Sequence, residues 1–353
     1  MVRLDDTEKK LILLLQRDGR MTYVELAERI GVAERTVRRK FKRLTEEGII
    51  QIVTFVDPFR LGRNLRAIIG ISGTIASGPK ALEQLVRHDS LRYVAMTAGT
   101  YDIVVEGHFD LPENLLNFLV TDLSRIGDNV TTNTSIILQF YKATYEWGLG
   151  LPVDELEALR REVGLSPLTD NISERNNQRG GTNREGLWAS VPASHGLQRE
   201  GDSRERSLLG PTERQIIGLL QADGRRSYAD IARRTKVSEE TVRRKVQRLI
   251  SEGAIQIAAV ANPYTVGFNC PVLFGFRVDR EAHHSIVRAL ASCREIVYLV
   301  ATTGSSDLIA AGYFVNTEAL LSFLTNRLGS IRGILNVDVS LILDIKKQSY
   351  QWG

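Results

Sequence analysis

Thr36-Val37-Arg38-Arg39-Lys40 returns, residue for residue, as Thr241-Val242-Arg243-Arg244-Lys245, 205 positions further along the chain. Outward from that pentad, the same offset carries Asp18-Gly19-Arg20 onto Asp223-Gly224-Arg225, Glu47-Gly48 onto Glu252-Gly253 and Trp147-Gly148 onto Trp352-Gly353. The register does not slip between Leu4 and Gly148 or between Leu209 and Gly353. A repeat of that length is a duplicated protein, not a solenoid unit.

Local signals place the pentad in the third of three helices. From Leu4, the apolar positions Leu11, Leu14 and Leu15 follow helical spacing until Asp18-Gly19-Arg20 ends the run. Thr22-x-x-Glu25 is a capping box ahead of Leu26, Ala27 and Ile30, and copy two repeats it as Ser227-x-x-Asp230. The third helix begins at Ala33 or Ser238 and runs to Glu47-Gly48 or Glu252-Gly253. Two short helices, a tight turn and a longer basic helix are the parts of a helix-turn-helix, whose last helix enters the major groove.

At 100° per residue, Val37, Phe41 and Leu44 form one core-facing stripe. Arg35, Arg38, Arg39 and Lys42 then point outward, Arg43 lies on the flank, and Lys40 sits nearer the core edge. A solvated helix face usually mixes signs, whereas the middle of this one is wholly basic in copy one, which points to double-stranded DNA. The DNA-contact set expected is Arg35, Thr36, Arg38, Arg39, Lys42 and Arg43, with Glu240, Thr241, Arg243, Arg244, Gln247 and Arg248 in copy two. The reversal from Arg35 to Glu240 predicts different half-sites: Glu240 accepts from a cytosine amino group, and Arg35 prefers guanine or phosphate.

That local placement matters because the totals say little. The 353 residues carry 46 Lys plus Arg against 42 Asp plus Glu, a net charge of only +4. Cys270 and Cys293 are too few for a disulfide framework or a thiolate metal site. The five histidines show no ligand spacing with cysteine, so neither metal nor cofactor is expected. No apolar run approaches a membrane span and no secretory core follows Met1, so a cytoplasmic protein with no membrane partner is expected.

The rest of each copy alternates between β and α patterns. In copy one, Ile49 to Phe55 is β-rich and Asp57-Pro58 with Gly62 makes a turn. Leu65 to Thr74 reads as a strand, Pro79 to His88 as a helix, Arg92 to Ala98 and Ile103 to Phe109 as strands, Pro112 to Ile126 as a helix and Val130 to Tyr141 as a strand. The order βαββαβ is a ferredoxin-like unit, with helices on one sheet face and the other face left to find a partner sheet.

These residues resemble the Lrp/AsnC (leucine-responsive/asparagine) family of prokaryotic regulators, in which a helix-turn-helix is joined to a βαββαβ effector domain. The resemblance is carried by Leu4-Asp5, Asp18-Gly19-Arg20, Arg43-Leu44-x-x-Glu47-Gly48-x-Ile50 and Pro58…Gly62, each with a counterpart in copy two. It covers nearly everything except the linker. It implies a small-molecule effector, often an amino acid, bound between paired effector domains at a Gly-x-x-Asp turn. That turn is Gly99-Thr100-Tyr101-Asp102 here and Gly304-Ser305-Ser306-Asp307 in copy two, with Thr132 and Thr134 on the last strand of copy one. Copy two has Val337 and Val339 in place of those threonines, which puts its ligand binding in doubt.

The fold class expected is α+β: two winged-helix-type helix-turn-helix domains and two βαββαβ effector domains in tandem, over 1–60, 61–148, 208–265 and 266–353. Residues 149–207 between them hold a helix from Pro152 to Gly164 and then a polar tether. About forty such residues reach on the order of 35 Å, so the copies can form an intramolecular pseudo-dimer or pair with a neighbour in a homo-oligomer. The reading is a transcriptional regulator, not an enzyme. The alternative on the same scaffold is a sirohaem decarboxylase, which leans on histidine and arginine patterns. Here His88 is matched by Cys293 and His108 by Tyr313, so no histidine repeats.

Overall fold

The computed structural model describes residues 3–57, 60, 65–73, 78–125, 130–144, 149–166 and 209–348. The Pro58…Gly62 turn, the Trp147-Gly148 and Trp352-Gly353 pairs, His195 and the polar tether lie outside the described residues.

Copy one begins with α1 (Asp6–Arg17), α2 (Tyr23–Ile30), α3 (Glu34–Glu46) and β1 (Ile50–Val56). The effector half follows as β2 (Leu65–Ser72), α4 (Gly78–Arg87), β3 (Leu91–Ala98), β4 (Ile103–Phe109), α5 (Pro112–Asn117) and β5 (Thr131–Ala143), and α6 (Val153–Glu162) lies between the copies. Copy two repeats the order with α7 (Pro211–Ala222), α8 (Tyr228–Thr235), α9 (Glu239–Ser251), β6 (Ile255–Ala261), β7 (Cys270–Val278), α10 (His283–Ser292), β8 (Ile296–Thr302), β9 (Leu308–Phe314), α11 (Thr317–Ser322) and β10 (Ile334–Gln348). The capping box at Thr22 is formed, its hydroxyl accepting from the Glu25 amide while the Glu25 carboxylate takes the Thr22 amide.

The expected face-to-face pairing of two sheets is only half of what the chain does. The eight effector strands join edge to edge into a closed barrel in the order β10-β3-β4-β2-β5-β8-β9-β7. The reason lies in the long last strands. β5 pairs with its own β2 through Ile136 and then, from Ile137 to Ala143, with β8 of the other copy. β10 does the same with β7 and β3. Closure removes the exposed sheet edges. Lys142 donates to the Cys293 carbonyl at 2.7 Å and Lys347 to the His88 carbonyl at 2.8 Å, one staple at each seam.

The strand after the third helix is likewise not a wing within its own head. β1 pairs antiparallel with β6, from Ile50 against Ala261 to Val56 against Ile255. Each head then packs on the ribbon from both copies, so Ala259 and Ala261 belong to the core of head one, and Val56 to that of head two. Asp18-Gly19-Arg20 serves this docking. The Gly19 amide donates to the Ile257 carbonyl at 2.8 Å, and a Cβ on Gly19 would stand 3.0 Å from the Ala258 backbone. Arg20 crosses to the carbonyls of Gly224 and Arg226, and Arg225 crosses back to those of Gly19 and Met21.

α6 makes the heads unequal. Its stripe of Leu156, Leu159 and Val163 is buried against α1, whose residues Leu11 to Leu15 are all buried. Lys9 pairs with Glu155 at 3.0 Å and Lys10 with Glu162 at 2.5 Å. At the position of Leu13, head two has Gly218, exposed to solvent. The domain boundaries expected from sequence therefore do not enclose self-contained cores, because head one draws on residues from 149–165 and 259–266.

Candidate nucleic-acid interface and ligand cavity

On α3, Val37 and Leu44 are fully buried and Arg35, Arg38, Arg39 and Lys42 are exposed, as the angular reading requires. Their partners separate them. The Arg38 Nε donates to Glu34 at 2.7 Å while its guanidinium lies over the Tyr23 ring, and Lys42 stands 3.7 Å from Glu46. Arg35 and Arg39 have no ion pair among the described residues. Thr36 is half-buried.

Arg43 turns inward. Its guanidinium donates to the buried Glu8 carboxylate at 2.7 Å and its Nε to Glu47 at 3.0 Å. Lys40 pairs with Asp5 and lies 3.6 Å from Glu8. Glu8 is thus the acid that ties α3 to α1. It also closes a capping box with Asp5, an Asp-x-x-Glu signal present in the sequence and passed over there. Copy two repeats the arrangement, with Lys245 and Arg248 on Glu213.

The exposed face of α9 is weaker. Arg243 stands between Glu239 at 3.3 Å and Glu240 at 4.0 Å, Thr241 bonds the cap Ser238, and Gln247 is neutral. Arg244 alone is exposed without an ion pair among the described residues.

At one end of the barrel interior, where the copies face each other, lies a small cavity of about 40 Å³. Its walls are Ile68, Gly70, Thr100, Tyr101, Val104, Asn133 and Ser135 from copy one, and Leu273, Phe274, Gly275, Ser305, Ser306, Ile309, Asp338 and Ser340 from copy two. Thr100, Tyr101, Ser305 and Ser306 are here as expected from the turns. Gly99 and Gly304 form the turns themselves, with φ of 157° and 94°, and each lies against the other copy's last strand. A Cβ on Gly99 would stand 2.8 Å from the Ser340 Cα, and one on Gly304 3.2 Å from the Thr134 carbonyl.

The two aspartates do not face the cavity. Asp102 accepts from the Gly73 amide at 3.0 Å; Asp307 accepts from the Val278 amide at 3.0 Å and pairs with Arg277 at 3.2 Å. Each fastens its turn to the end of its copy's first strand. Thr132 and Thr134 lie beside Ile71 and Ile69, on the helix-covered face. Their neighbours Asn133 and Ser135 line the cavity instead, with Asp338 and Ser340 in copy two. A strand alternates faces with every residue, so a displacement of one position moves the whole set to the other side.

Deeper in the barrel, beyond Ile68, Val104 and Phe140, copy one holds a polar cluster without a match in copy two. The His108 Nε2 is 2.9 Å from Glu106, the Tyr298 hydroxyl donates to Glu106 at 3.3 Å, and Arg66 lies over the Phe140 ring. Burial pushes the His108 imidazole below its ordinary value, against the pull of Glu106. Burial would raise Glu106, but the His108 hydrogen bond, His108 and Arg66 charges and Tyr298 hydroxyl hold it below the usual carboxylate range. The folded protein thus resists protons that the unfolded chain accepts. Stability is full above the ordinary histidine pKa of 6.5 and declines as pH falls through and below it. Melting temperature is expected to drop between pH 7 and pH 5, and His108→Gln to flatten that part of the profile. An unchanged slope in the variant would assign the acid sensitivity to other groups.

Among the described residues, no helix is long and apolar enough to cross a membrane, and no three His, Cys, Asp or Glu side chains are grouped to hold a metal ion.

Comparison with known proteins bears on both sites. Residues 4–51 match a winged helix-turn-helix DNA-binding model, 211–250 an AsnC-type helix-turn-helix domain, and 272–352 an Lrp/AsnC ligand binding domain. An uncharacterised HTH-type transcriptional regulator of Pyrococcus abyssi is 34% identical over 143 residues, 40% of this chain and 90% of the relative. The HTH-type transcriptional regulator FL11 of Pyrococcus furiosus is 37% identical over 145 residues, 40% of this chain and 95% of the relative. Among solved structures, the siroheme decarboxylase NirDL covers 97% of this chain and 93% of its own, with a TM-score of 0.59 at 14% identity. At that identity the likeness is one of fold alone.

Proposed function

Since the chain belongs to the Lrp/AsnC family of transcriptional regulators, we propose that it carries two unequal DNA-reading heads, α3 and α9, on one paired effector barrel whose cavity takes a small-molecule effector, an amino acid. The units 1–60 and 208–265 read DNA, and 61–148 and 266–353 build the barrel. The observation that carries the reading is the exposed basic face of α3, where Arg35 and Arg39 have no ion pair among the described residues. Arg38, Lys42 and Thr36 flank them, while Arg43 and Arg248 act first on Glu8 and Glu213. In copy two, Arg244 and Gln247 supply contacts, and Glu240 a different base preference. An effector between the two halves of the barrel would change the relation of the ribbon and heads, and so the balance among DNA-bound states.

The whole-chain likeness to a siroheme decarboxylase gives the enzyme reading its one specific support. The cavity of about 40 Å³ is far below the several hundred that a ligand even of drug size occupies, which favours the regulator. Two measurements on the purified protein separate the readings. Retention of its own upstream DNA should weaken steeply between 50 and 200 mM salt, as phosphate contacts require, and addition of an iron tetrapyrrole should give no bound absorption band. Absence of salt-dependent retention overturns the regulator reading, and a stoichiometric bound band turns it toward the enzyme.

A further inference from the structure

The cavity has two halves that the duplication makes unequal. In copy one the Tyr101 ring lies flat on Gly70, so close that a Cβ there would meet the ring at 2.5 Å. The corresponding place in copy two, over Gly275, holds the small Ser306 side chain, its hydroxyl 2.6 Å from where a Cβ would be, with the Asp338 Cβ 3.7 Å away. The tyrosine fills its half, and the serine leaves the other open. The last strands differ at the same level: Asn133 faces the cavity from copy one and Asp338 from copy two. Asn133 is committed, its Oδ1 accepting from the Ser305 hydroxyl at 3.2 Å. Asp338 is exposed at the rim, and its one hydrogen bond among the described residues is a 3.4 Å contact from Asn336. Among the described residues that line the cavity, it alone is charged.

From this asymmetry we infer that each chain binds one small ammonium-bearing ligand, seated in the half over Gly275 with its ammonium on the Asp338 carboxylate and its body against the Tyr101 ring face. The inference rests on the effector-cavity reading above and narrows it in three ways. One ligand binds per chain, although the chain holds two copies, because Tyr101 occupies the second place. The ligand carries a positive charge, since a lone carboxylate facing a partly enclosed cavity favours a cation, and an aromatic face beside it adds to the attraction. It is small: the free volume corresponds to about three or four waters, the size class of glycine, alanine or serine. The Ser340 hydroxyl accepts from the Thr100 amide at 3.3 Å and keeps its proton to donate to the other end of such a ligand.

The test is titration calorimetry of the full chain with glycine, L-alanine and L-serine, and with acetate and propionate as the same molecules lacking the ammonium. At least one amino acid should bind once per chain, and neither acid should bind measurably. Ser306→Tyr should abolish binding by filling the open half. Tyr101→Ser should loosen the single site by removing the ring face from the ligand, without a second site of like affinity, because the vacated half presents Asn133 and not an acid. Asp338→Asn should weaken binding about tenfold or more, the loss expected for one charged hydrogen bond. Tyr101→Ser and Ser306→Tyr only exchange the residues that the two copies already hold, so retained melting behaviour shows that a binding change is not misfolding. Binding of propionate as tight as that of alanine, wild-type binding by Ser306→Tyr, or no binding by any of the three amino acids overturns the inference. These outcomes are distinct from failure of the regulator reading, which is lost only if DNA retention is absent.

Discussion

Replacing Arg35 and Arg39 together by alanine is expected to lower affinity for the protein's own upstream DNA on the order of 10- to 100-fold at about 0.1 M salt and to reduce the slope of log K against log salt by about 1.8. Both side chains are exposed and have no ion pair among the described residues, so each is free to neutralise one phosphate and release one counterion. The same freedom predicts that melting is unaffected, within the roughly 0.5 kcal/mol usual for surface changes. Arg38→Ala would give a mixed answer, because that side chain also bonds Glu34 and covers Tyr23. In head two, Arg244→Ala removes the exposed cation of the recognition face that has no ion pair among the described residues, and is expected to lower the slope by only about 0.9. Equal losses from the head-one pair and from Arg244→Ala would overturn the inequality of the heads. Arg35→Glu goes further: if Glu240 reads a base, head one should shift its preferred half-site toward that of head two, and an unshifted site would make Glu240 a helix-end charge only.

The recognition helix was legible because everything that shapes it is local. Its stripe of buried Val37 and Leu44 with half-buried Phe41, and its outward arginines, follow from spacing along one helix. Which arginines are free was not legible, since Arg43 and Lys40 are claimed by Asp5 and Glu8, more than thirty positions away. The βαββαβ order of elements in each half was legible from the pattern, but barrel closure was not. It depends on β5 and β10 being long enough to change partner midway, and strand length is weakly coded where both faces of a strand carry mixed residues. The cavity was found in part for a related reason. The turns at Gly99 and Gly304 are marked by glycine, whereas the choice between Thr132 and Thr134 on one side and Asn133 and Ser135 on the other depends on which face looks inward. Four consecutive polar residues do not say.

A double replacement of Leu156 and Leu159 by alanine in α6 is expected to loosen head one and leave head two nearly as it was. Both leucines are almost fully buried, at 3% and 6% exposed, against a helix whose five consecutive apolar residues would otherwise present one side to water. A run that is apolar all round requires cover on every side, and α6 supplies it; head two, with Gly218 at the matching place, does not ask for it. Each leucine truncation in a packed core costs about 2–5 kcal/mol, so the pair removes a large part of what holds α6 to α1. The flanking ion pairs Lys9–Glu155 and Lys10–Glu162 have exposed carboxylates and are each worth at most about 1 kcal/mol. Glu155→Gln with Glu162→Gln should therefore shift melting little, which separates packing from charge. In hydrogen exchange, the amides of α1 in the leucine variant should lose protection toward that of a locally opened segment, while those of α7 keep theirs. Because α1 positions α3 through Glu8, with Arg43 and Lys40 as its partners, the same variant should also bind DNA more weakly than the Glu155→Gln, Glu162→Gln control. Protection lost equally from α1 and α7, or not lost at all, would mean that α6 does not brace head one, and that the two heads are held alike by the ribbon of β1 and β6.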